Sequence, residues 1–90
     1  MDETKAKPHA ILVVDDEEAI LESIELTLGV DYRIFSATNG EQALEILKSE
    51  DIALIITDQV LPKMSGVEFL ERAIEQDPRP IRMMLTGYAD

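Results

Sequence analysis

The chain contains no cysteine, and that absence excludes disulfide frameworks, thiolate zinc sites, iron–sulfur clusters and cysteine nucleophiles. A single histidine, His9, is too few for a two-histidine metal site, so any metal chemistry must rely on oxygen ligands. Glycine and proline number only four each against 46% hydrophobic and 30% charged residues, a globular composition that is neither low-complexity nor collagen-like. Cations are scarce. Eight Lys and Arg face 19 Asp and Glu, and the net charge of -11 repels nucleic-acid phosphates and anionic lipid headgroups alike. No direct nucleic-acid or membrane binding is therefore expected. Long apolar runs are also lacking: Ala10 to Val14 and Ile52 to Ile56 are the longest, at five residues each. A membrane span needs about 20, so the expected compartment is the cytoplasm. Ninety residues leave room for one small core.

Met1 to Pro8 is polar and lacks apolar periodicity, which predicts a flexible leader, with one domain over residues 9–90. Ala10-Ile11-Leu12-Val13-Val14 is a branched apolar run that stops at Asp15-Asp16, the pattern of a strand covered on both faces. From Glu17 to Leu28 the residues Ile20, Ile24 and Leu28, with Leu21 beside them, recur at helical spacing; Asp16 is placed to cap that helix and Gly29 to end it in a left-handed conformation. Tyr32 to Ala37 is rich in strand formers, and Asn39-Gly40 then opens a helix in which Ala43, Leu44 and Leu47 share a face.

The second half repeats the plan. Ile52 to Thr57 is a second buried-strand pattern ending at Asp58, followed by a loop with Pro62. Ser65-Gly66-Val67-Glu68 is an S-x-x-E capping box, behind which Val67, Leu70 and Ile74, with Phe69 and Ala73, predict the apolar face of a third helix. Pro78 and Pro80 mark a loop, and Ile81 to Leu85 predict a fourth strand delivering Thr86 and Gly87. Met83 and Met84 read as core filler on that strand, and Met64 as loop surface. The order βαβαβαβ argues for an α/β fold, a parallel sheet with helices on both faces. A βα unit needs roughly 20 to 25 residues, so residues 81–90 hold a strand and a turn without the next helix.

Ligands of open α/β sheets bind outside the carboxyl ends of the strands, where strand order reverses. Asp15, Asp16 and Asp58 converge there if the first and third strands are neighbours. Taken singly, each acid is explained by capping a helix or opening a turn. Taken together, they would repel one another unless a cation sat among them, and an all-oxygen cluster suits magnesium or calcium. Magnesium is favoured because it takes few carboxylates and keeps waters that a phosphoryl oxygen can replace. Nucleotide loops, calcium loops and H-E-x-x-H are absent, and His9, before the first strand, reads as a solvated flank instead of a triad member.

Three ordered segments carry a resemblance: Ile-Leu-Val-Val-Asp15-Asp16-Glu17, Ile-Ile-Thr-Asp58-Gln-Val-Leu-Pro62-Lys-Met-Ser-Gly66, and Met-Leu-Thr86-Gly87-Tyr-Ala-Asp. Together they resemble the phosphoacceptor receiver domain of two-component response regulators. The resemblance implies a flavodoxin-like doubly wound parallel sheet of order 2-1-3-4-(5), with the fifth strand and last two helices absent from this chain. It implies that Asp58 accepts a phosphoryl group from a sensor histidine kinase or phosphotransfer protein, to switch an output partner. It also implies that Asp15, Asp16, Asp58 and the main-chain carbonyl of Val60 hold Mg2+, that Thr86 hydrogen-bonds the phosphoryl group, and that Pro62 and Gly66 shape the loop. The family's Lys and switch aromatic, which lie beyond the fourth strand, have no counterpart here, and Tyr88 is too early to be that aromatic. Two other readings stay open: a pseudo-receiver or interaction module without phosphoryl chemistry, and an aspartyl-nucleophile phosphatase. The phosphatase would place D-x-D-x-T after the first strand, where this chain has Asp-Asp-Glu-Glu. A fourth strand with one uncovered edge further predicts self-association of the 90-residue chain.

Overall fold

The computed structural model describes residues 9–85. The expected leader at Met1 to Pro8 and Thr86, expected to hydrogen-bond the phosphoryl group, lie outside the described residues. Four strands, β1 (Ala10–Val14), β2 (Arg33–Ala37), β3 (Leu54–Asp58) and β4 (Ile81–Leu85), alternate with three helices, α1 (Glu18–Leu28), α2 (Gly40–Ser49) and α3 (Gly66–Gln76). The sheet is parallel in the order β2-β1-β3-β4, as expected for the first four strands. Central β1 pairs on both sides, Val14 standing opposite Ala37 in β2 and Thr57 in β3.

The apolar runs of β1 and β3 are uninterrupted because both faces of the sheet are covered. Successive side chains point to opposite faces. Ala10, Leu12, Val14 and Ile55 therefore pack with Ala43 and Leu47 of α2 and with Phe69 and Ala73 of α3. Ile11, Val13 and Ile56 pack with Leu21 of α1, joined by the half-buried Ile24 and Leu28. This arrangement puts α1 on one face and α2 and α3 on the other. Across α2 and α3, the Gln76 side-chain amide donates to the Leu44 carbonyl at 3.0 Å.

Several local expectations are corrected. Asp16 does not cap α1: Glu17 holds the cap position without a side-chain bond, and it is Asp15 that accepts from the Glu17 N–H at 2.9 Å. Gly29 closes α1 with φ -66°, a right-handed conformation open to any residue. Strand β3 runs from Leu54 to Asp58, two residues later than the apolar run begins, with Ile52 buried in the preceding loop. Ser65 caps α3 by accepting from the Glu68 N–H at 3.1 Å, but the reciprocal half of the box is not made, since the Glu68 carboxylate lies 3.6 Å from Arg72.

On α3 the buried stripe is Gly66, Phe69 and Ala73. Val67 and Ile74 sit one position further on, about 100° around the helix, and are exposed. Met64 is buried instead of lying on the loop surface, because its thioether packs against α2 where Gly40 has no side chain. Met83 is 46% exposed, unlike the core filler expected of it; β4 is the outer strand, paired only with β3 among the described residues.

Candidate functional site

Strands β1 and β3 run parallel with Val14 beside Thr57, so the next residues, Asp15 and Asp58, leave the sheet at the same edge. The Asp15 N–H still donates to the Ala37 carbonyl at 3.0 Å, which holds this residue in line with the sheet after β1 has formally ended. Asp15 is buried, Asp58 half-buried and Asp16 exposed. One carboxylate oxygen from each lies within 4.8 Å of the others.

No Lys or Arg among the described residues forms an ion pair with any of the three. Burial pushes the Asp15 carboxyl above its ordinary value of 3.8. The Glu17 N–H bond works against that rise, while the charges of Asp58 and then Asp16 add to it. Among the described residues the cluster is thus a negative site without a paired cation, made only of oxygen donors. That donor chemistry fits a hard divalent cation, and Mg2+ in particular takes few carboxylates while retaining waters.

The loop after Asp58 is built to bring the backbone close. The Asp58 carboxylate accepts through Oδ1 from the Gln59 N–H at 2.8 Å, and the Gly66 N–H at the start of α3 donates to the Gln59 carbonyl at 2.9 Å. A Cβ at position 66 would collide with the Asp58 carbonyl oxygen and lie 3.1 Å from both the Asp58 carbonyl carbon and the Gln59 Cα. Glycine is required here by close approach, since its φ is not positive. The loop is anchored by buried Leu61 and Met64 and turns through Lys63 at φ 70°.

Of the residues read from the sequence, Asp15, Asp16 and Asp58 are brought together. Val60 is two residues past Asp58, its side chain 73% exposed, and no hydrogen bond among the described residues uses its carbonyl. Sequence reasoning passed over Thr57, which is fully buried and donates to the Asp58 carbonyl at 3.0 Å. The available signal was a hydroxyl interrupting an otherwise apolar strand.

A profile of the response regulator receiver domain matches residues 11–90. The chain is 32% identical over 84 residues to the hydrogenase transcriptional regulatory protein HoxA of Cupriavidus necator, covering 93% of this chain and 17% of that regulator. It is 34% identical over 79 residues to the response regulator receiver protein CpdR of Brucella abortus, covering 88% of this chain and 66% of that protein. Among solved structures, the signal receiver domain of an HD domain-containing protein from Pseudomonas fluorescens Pf-5 superposes with a TM-score of 0.86 at 36% identity, over 91% of this chain and 66% of that one. A CheY-like receiver domain from Methanospirillum hungatei JF-1 gives 0.85 at 36% identity, with the same coverage. The chain therefore spans about a sixth of the HoxA regulator and two thirds of these solved receiver chains.

Proposed function

The chain belongs to the response regulator receiver domain family, and from that membership we propose that Asp58 is its phosphoacceptor. The observation that carries the proposal is the convergence of Asp15, Asp16 and Asp58 at one sheet edge, with no cation paired to them among the described residues. Asp15, Asp16, Asp58 and the Val60 carbonyl would hold Mg2+. When bound, the ion supplies charge neutralisation for the phosphoryl oxygens in a reaction that otherwise needs chiefly in-line positioning.

The protein's own part is to present the nucleophile. The Gln59 N–H takes one lone pair of Asp58 Oδ1, whose other lone pair can face the metal, and Oδ2 attacks phosphorus. The oxygen–phosphorus bond forms as the bond from phosphorus to the donor's leaving atom breaks, giving an aspartyl phosphate. The donor is a sensor histidine kinase or phosphotransfer protein, and the phosphorylated state switches an output partner. Thr86, outside the described residues, completes the proposed site as a hydroxyl donor to the phosphoryl group.

Two finer points belong to the same proposal. The compartment is the cytoplasm; no helix among the described residues is long and apolar enough to cross a membrane. The 90-residue chain self-associates along β4, where Ile81, Met83 and Leu85 are 69%, 46% and 38% exposed, and sedimentation that finds only monomer at micromolar concentration refutes this point. The phosphoacceptor reading is tested by titrating magnesium-loaded protein with beryllofluoride while following amide chemical shifts. Saturable shifts at Asp58 and Gln59 that need magnesium support it. An unresponsive site returns the chain to the pseudo-receiver reading.

A further inference from the structure

Apart from Asp15, Thr57 is the only polar side chain buried among the described residues, and its exposure is zero. It stands in the middle of the sheet, with Val14 of β1 on one side and Met84 of β4 on the other. A fully covered, β-branched strand position is ordinarily filled by valine, which has the same shape and no hydroxyl to satisfy. Here the hydroxyl has a specific use: it donates to the Asp58 carbonyl oxygen at 3.0 Å.

That carbonyl and the Gln59 N–H belong to one peptide unit, which is planar and rigid. Fixing the oxygen at one side of the plane therefore fixes the direction of the N–H at the other, and that N–H points to Asp58 Oδ1 at 2.8 Å. The start of α3 closes the arrangement, since the Gly66 N–H holds the Gln59 carbonyl at 2.9 Å. We infer that Thr57 is a positioning residue, whose hydroxyl orients the peptide plane after Asp58 and through it the Asp58 carboxylate. The role rests on the phosphoacceptor reading for its effect on rate, but not for its effect on geometry.

Thr57→Val removes the hydroxyl and keeps the shape, whereas Thr57→Ser keeps the hydroxyl and removes a methyl group. Both are compared with the unaltered 90-residue chain for phosphorylation by acetyl phosphate at saturating magnesium, for melting temperature, and for the Gln59 amide chemical shift. The expected result is a phosphorylation rate about 3- to 10-fold lower in Thr57→Val, in keeping with the sensitivity of transfer reactions to small misplacements. The Gln59 amide signal should move in the same variant, and both readouts should return toward the unaltered values in Thr57→Ser even though that variant has the emptier core. Rates that follow melting temperature across the pair, with Thr57→Ser slowed as much as Thr57→Val, overturn the inference in favour of simple packing. An unmoved Gln59 amide in Thr57→Val overturns it as well. If the unaltered chain takes up no phosphoryl group, the phosphoacceptor reading falls, and the Gln59 signal alone then decides the positioning role.

Discussion

Replacing Gly66 by alanine tests how closely the start of α3 must approach the end of β3, where Asp58 stands. The added Cβ meets the Asp58 carbonyl oxygen, its carbon and the Gln59 Cα, all of them backbone atoms that no rotamer change can move. Overpacking of this kind costs about 1–3 kcal/mol. Against it stands a helix-propensity gain of at most about 1 kcal/mol for alanine over glycine. The net loss is up to about 2 kcal/mol, which in a domain of this size lowers the melting temperature by up to about 15 °C. Gly40→Ala is the matched control at the first residue of α2, because its Cβ would meet the flexible Met64 thioether with Sδ at 2.7 Å. Thermal unfolding followed by circular dichroism, with magnesium titrations on both variants, separates the two cases. Gly66→Ala should melt well below Gly40→Ala and bind magnesium more weakly, since relieving the collision displaces Asp58. Equal melting temperatures would refute the argument from close approach.

Asp15→Asn should melt higher than the unaltered protein without metal, because the folded carboxyl is raised above its ordinary 3.8 and ionising it at neutral pH therefore costs stability; the same change should weaken magnesium binding, and a lower metal-free melting temperature with undiminished affinity would contradict both halves. Phe69→Ala empties a fully buried position between α3 and the sheet, and denaturant unfolding should show a loss of about 3–5 kcal/mol. The Asp77 carboxyl is held below 3.8 by the Arg79 side chain, which donates from Nε at 2.9 Å. Its contribution is complete above 3.8 and lost as pH falls through the lowered folded value, so Asp77→Asn should destabilise at neutral pH and leave strongly acidic stability unchanged. A deficit that persists into strong acid would assign the effect to packing.

The sheet was legible because its signal is redundant. A five-residue apolar run such as Ala10–Val14 has few options other than a strand buried on both faces, and an acid at its end marks the edge where ligands bind. The meeting of Asp15 and Asp58 depends on β1 lying beside β3, which the residues alone left conditional and which the resemblance supplied. Other features escaped because they depend on what packs above them. Val67 and Ile74 share helical spacing with the true core residues of α3, and only the angle at which the helix meets the sheet separates Phe69 and Ala73 from them. Met64 lies in a loop, and its burial follows from a missing side chain at Gly40, 24 positions away in the sequence. Whether Asp15 or Asp16 serves the start of α1 turns on one peptide's orientation, which composition and spacing do not encode.

The central claim, that Asp58 is the phosphorylated carboxylate, is tested most directly by intact mass after incubation with acetyl phosphate and magnesium. The account predicts the addition of a single phosphoryl group, abolished when magnesium is chelated and absent from Asp58→Asn. A phosphoryl group retained by Asp58→Asn would contradict it.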